Sequence, residues 1–132
     1  MIRALSLAAA LYFALVFAAG FALGTIRVLM IAPRLGELAA VLLEAPVMLV
    51  LSWLACGAAI RAFAIRGRGS GLVMGAAAFA LLMTAEFALS LLVFGRSPDQ
   101  FVRAFAAPAG AVGLASQVAF GLFPVFRAAH SR

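Results

Sequence analysis

The residues of this sequence best placed to do chemistry are Arg27, Glu44 and Glu86, three charged side chains inside or at the edge of long apolar runs. A charge near the centre of a bilayer costs about 2.5–3.5 kcal/mol on insertion scales, so such a residue points to a partner or a task. At a helical rise of 1.5 Å per residue, Glu86 falls roughly 5 Å beyond the middle of its run. Glu44 lies about two turns into the run before it, and Arg27 closes the first run on the same side. The three therefore share one depth. If their faces converge, Arg27 neutralises one carboxylate and leaves the other to exchange a proton or bind a cation. Gln117, near the middle of the last run, adds hydrogen-bonding groups below them. The competing reading of the same residues is a structural ion pair that fixes helix order.

Other chemistries lack their parts. Cys56 is the only cysteine and sits inside an apolar run, so no internal disulfide forms and the thiol reads as a packing residue. The one histidine, His130, has no companions for a metal site and excludes a haem held by two histidines of this chain. Neither a glycine-rich phosphate loop nor a Ser-His-acid set is present. Carboxylates and arginine could do acid-base work on a lipid, but no nucleophile accompanies them. The sequence thus implies no cofactor and no enzyme.

The elements that must position these residues are transmembrane helices. Of 132 residues, 67% are hydrophobic and 11% charged, against roughly 45–50% and about 25% in a soluble domain. Apolar runs over residues 4–31, 38–63, 72–94 and 104–126 are each long enough to cross a hydrocarbon core of about 30 Å. They are too long for barrel strands and lack their alternation. The expected fold is all-α, a single four-transmembrane-helix bundle over residues 1–132. The first run outlasts the usual hydrophobic region of a secretory signal, so it reads as a retained span. Pro33 is expected to end helix 1, Pro46 to kink helix 2, and Gly67 to Gly71 to form a flexible turn.

The net charge of +6 comes from ten arginines at the ends of the runs. There they meet headgroups and set orientation, and with no basic stripe bearing interleaved aromatics, nucleic acid is not an expected partner. With both termini inside, six arginines lie on the inner side and four on the outer, which favours cytoplasmic termini. Small residues line one face of three helices: Gly20 and Gly24; Gly71 and Gly75; Gly110, Gly113 and Gly121. Such spacing lets backbones approach closely in a bundle or an oligomer. Phe21-Ala22-Leu23-Gly24 and Phe87-Ala88-Leu89-Ser90 echo one another faintly, as a duplicated two-helix unit would. Tyr12 and Trp53, both inside runs, read as packing residues.

The segments Arg27, Pro33-Arg34-Leu35-Gly36-Glu37, Glu44-Ala45-Pro46 and Gly95-Arg96-Ser97 resemble small four-helix inner-membrane proteins of bacteria. The likeness spans most of the chain and implies a location in the bacterial inner membrane but no activity. Size and helix count also resemble small multidrug resistance transporters and small fluoride channels, which act as dimers. The chain departs from the former in having no acidic residue in helix 1, and the latter's ion-path pattern is missing. Two functions follow as expectations. One is transport or conductance of an ion or small solute by a homo-oligomer, with Arg27, Glu44, Glu86 and Gln117 as its site. The other is a non-catalytic accessory or assembly subunit of a larger membrane complex.

Overall fold

The computed structural model describes residues 2–130, so Arg132, counted in the charge tally, lies outside the described residues. Four helical stretches are long and apolar enough to cross a membrane: Ile2–Leu35, Glu37–Phe63, Arg68–Leu92 and Pro108–Ala129. The all-α four-span bundle expected from the sequence is the observed architecture, and no strand occurs among the described residues.

The first span is α1 (Ile2–Ile26), a π-helical turn (Arg27–Ile31) and α2 (Ala32–Leu35) in unbroken succession. Pro33 was expected to end the helix near residue 31, since it has no N–H to give. Instead the ladder widens before the proline, with the Ala32 N–H donating to the Arg27 carbonyl, and the chain stays helical to Leu35. Gly36 makes the break at φ +87°, a conformation that side chains with a Cβ rarely adopt. The expected five-residue link is therefore a single glycine, and α3 (Glu37–Phe63) starts immediately after it.

Two further boundaries differ from expectation. Helix α4 (Arg68–Leu92) begins before Gly71, so most of the expected flexible turn is helix and the link shrinks to residues 64–67. The fourth span starts later than expected, as α6 (Pro108–Ala129), and a short α5 (Pro98–Ala104) forms ahead of it, outside the expected run but for Ala104. A capping box starts α5: the Gln100 N–H donates to Ser97 Oγ at 3.1 Å, and the Ser97 N–H donates to Gln100 Oε1 at 2.9 Å. Both α5 and α6 carry proline in their first turn, where its missing N–H costs nothing.

The spans close into a ring in which α1 and α6 each pack against both α3 and α4. Helices α3 and α4, though consecutive, thus face one another across the ring. The closest approach is between α4 and α6, where a Cβ on Gly71 would run into the Pro124 carbonyl and one on Gly75 into that of Gly121. Only glycine permits this contact of backbones, which maximises dispersion where lipid offers no hydrophobic drive.

Across the other diagonal, the buried Tyr12 of α1 stacks on Phe120 of α6 with centroids 4.2 Å apart. Its hydroxyl donates to the Phe120 carbonyl. That carbonyl lies four residues before Pro124, so the donor an α-helix would provide is missing, and Tyr12 supplies the substitute. This lets α6 run on past the proline to Ala129, a little beyond the end at residue 126 expected from the sequence.

Candidate functional site

Arg27, Glu44, Glu86 and Gln117 fall into two pairs on two different seams. Arg27 stands at the head of the π-helical turn, and its Nε lies 2.6 Å from Glu44 Oε2 on α3. The short distance is not matched by direction: the Nε–H makes no well-aligned hydrogen bond, so the contact is chiefly ionic. Both side chains are mostly covered, 25% and 17% exposed. This is the ion pair that a shared depth on adjacent helices allows.

Glu86 on α4 pairs instead with Gln117 on α6. The Gln117 Nε2 amide donates to both carboxylate oxygens, at 2.7 Å to Oε1 and 2.6 Å to Oε2. Among the described residues no arginine lies within 4.0 Å of Glu86. The three-way convergence of Arg27, Glu44 and Glu86 is therefore not what the fold produces. Arg27 belongs to the α1–α3 seam, whereas Glu86 turns into the α4–α6 seam. Depth was shared, and direction around the ring was not.

The Glu86 pair has unspent hydrogen-bonding capacity around it. The Gln117 Oε1 atom is buried without a partner, as is the hydroxyl of Ser90, one turn beyond Glu86 on the same helix. Buried polar groups left unpaired are costly and uncommon. Ser90 was not singled out as a site residue from the sequence, although its spacing of four from Glu86 was readable there. The Glu86 carboxylate and the Gln117 amide oxygen, with the Ser90 hydroxyl one helical turn further along α4, are oxygens able to hold a proton or a small cation.

The glycines take varied roles. Gly71 and Gly75 line the α4–α6 contact already described. Gly121 sits beneath Phe79, and Gly20 meets Met48, with a Cβ 3.3 Å and 3.4 Å from the nearest atoms. Gly24 leaves room for the Arg27 guanidinium, 3.6 Å from its Cβ position. Gly113 touches nothing within 4 Å, so no close packing occurs there. Gly57, on α3, makes space for the side chain of Arg127, a role the small-residue pattern did not show. No group of three or more His, Cys, Asp and Glu side chains suited to a metal ion occurs among the described residues.

Fold and site together define an all-α bundle with four membrane-competent spans and two polar pairs between them. No family model, curated protein or solved structure matches the chain. The functional reading therefore rests on the geometry alone.

Proposed function

We propose that the protein moves a proton or small monovalent cation across a bacterial inner membrane as a homo-oligomer, with Glu86 as the binding group. The observation that carries this reading is a carboxylate within a span, held on both oxygens by Gln117, with no arginine beside it and two unpartnered oxygens nearby. An ionisable side chain at such depth is by default a functional candidate. Arg27 and Glu44 act as a structural clasp between α1 and α3. The arginine-rich end, which holds both chain termini, faces the cytoplasm in this proposal.

Purified protein in liposomes under an imposed pH or cation gradient tests the idea. Glu86→Gln should abolish flux while the helical spectrum and oligomeric state persist, and Arg27→Gln with Glu44→Gln should leave flux in place. Unchanged flux in Glu86→Gln removes the carboxylate from the mechanism.

One observation favours a second reading, that of an accessory subunit. Each polar pair closes within its own seam instead of joining a common centre. That reading requires co-purification with other membrane proteins after gentle extraction, and recovery of the chain alone counts against it.

A further inference from the structure

The end of the bundle formed by the termini and the α3–α4 link carries Arg61, Arg66, Arg68 and Arg127, while all four acidic residues, Glu37, Glu44, Glu86 and Asp99, lie in the opposite half. At this basic end a groove of about 290 Å³ opens between α3 and α6. Its walls include Trp53, Gly57 and Arg61 from α3, with Phe126, Arg127 and His130 from the end of α6. Gly57 stands six residues before the end of α3 at Phe63, or roughly 9 Å below it. The groove therefore opens within about two helical turns of the basic end.

Arg127 is placed unusually for an interfacial arginine. Such side chains ordinarily extend toward water. Here the guanidinium folds back along α3, with its carbon 4.7 Å from the Trp53 ring centroid. It rests on Gly57, where a Cβ would overlap Nη2. Among the described residues no carboxylate comes within 4.0 Å of Arg61 or Arg127. His130 closes the rim, its Nδ1–H donating to the Phe126 carbonyl at 2.8 Å. An unneutralised guanidinium braced on an aromatic face presents a planar fork of donors, the geometry suited to phosphate oxygens. Basic pockets between spans at this depth are where anionic headgroups bind.

We infer that the α3–α6 groove is a binding site for an anionic phosphate ester or phosphate ion, gripped by Arg127 and Arg61. The two sources of that chemistry are an anionic phospholipid and free phosphate. Trp53 is the chain's only tryptophan and lies in the groove, so it reports occupancy directly.

The full-length protein is placed in phosphatidylcholine nanodiscs containing a minor fraction of brominated phosphatidylglycerol or brominated phosphatidylcholine. Quenching of Trp53 is compared between the two, and inorganic phosphate is titrated into discs without the anionic lipid. Local enrichment of phosphatidylglycerol by ~5-fold or more is expected, about what one well-placed arginine supplies at an anionic surface. Selective quenching with no phosphate response identifies the lipid as ligand, and a saturable phosphate response identifies the free ion. Equal quenching by both lipids with no phosphate response overturns the site.

Gly57→Ala expels the flexible guanidinium without changing any charge and should abolish the selectivity. Arg66→Gln removes a charge from the same end outside the groove and should preserve it. Selectivity that survives Gly57→Ala, or that falls equally in both variants, reduces the effect to diffuse surface charge and refutes the proposal. Should Gly57→Ala fail to fold, the exposed Arg61→Gln makes the same comparison.

Discussion

Replacing Tyr12 by phenylalanine keeps the ring stacked on Phe120 and removes only the hydroxyl that serves the carbonyl left open by Pro124. A buried carbonyl deprived of its donor costs about 1–3 kcal/mol in soluble proteins. Interhelical hydrogen bonds in bilayers average nearer 0.6 kcal/mol, with a maximum of roughly 1.7, because the unfolded chain in lipid also finds partners. Full burial of both residues places this bond toward the upper end, so Tyr12→Phe should cost about 1–1.5 kcal/mol. Pro124→Ala restores an N–H that reaches the Phe120 carbonyl from within α6, so in that background the hydroxyl becomes largely redundant. Reversible unfolding in mixed micelles, measured on both single variants and the double variant, should give a coupling of about 1 kcal/mol. The packing lost with the proline ring cancels in the cycle. An equal cost of Tyr12→Phe in both backgrounds would show that the hydroxyl is not answering the proline.

Other perturbations have equally definite outcomes. Glu44→Gln should destabilise the bundle by about 1–3 kcal/mol in the same unfolding assay, between the values for exposed and buried ion pairs, and Arg27→Gln should add little to it. Gly75→Ala drives a methyl into the Gly121 carbonyl, so overpacking should cost about 1–3 kcal/mol, whereas Gly113→Ala, facing open space, should be neutral or slightly stabilising in the same assay. Ser97→Ala removes the cap of α5 and should speed amide exchange in Pro98–Ala104, consistent with a cap worth about 1 kcal/mol, while leaving exchange in α4 unchanged.

Spans were legible in the sequence because length and apolarity are one-dimensional properties. Run lengths found all four, and residue counting along each helix brought Arg27 level with Glu44. Direction around the ring depends on which helices become neighbours, and that is settled by contacts such as Gly75 against Gly121, which have no counterpart in spacing alone. Hence Arg27 meets Glu44, while Glu86 finds Gln117. Ser97 and Gln100 form a capping-box pattern that marks the start of α5, a polar signal outside the hydrophobic runs. Likewise, Pro124 announces an open carbonyl at Phe120, but naming Tyr12 as its donor requires knowing that α1 and α6 face each other. The π-helical turn at Arg27–Ile31 had a hint in Pro33, although a proline permits either a stop or a shifted ladder.

The order of helices around the ring bears on biogenesis. Helices emerge from the ribosome as α1, α3, α4 and finally α6, yet α3 and α4 meet chiefly through the helices on either side of them. Until the final span enters the bilayer, the first three form an open arc with the glycine face of α4 bare to lipid. Closure of the ring thus waits for α6, and a chain halted before Pro108 leaves α1, α3 and α4 as an open arc.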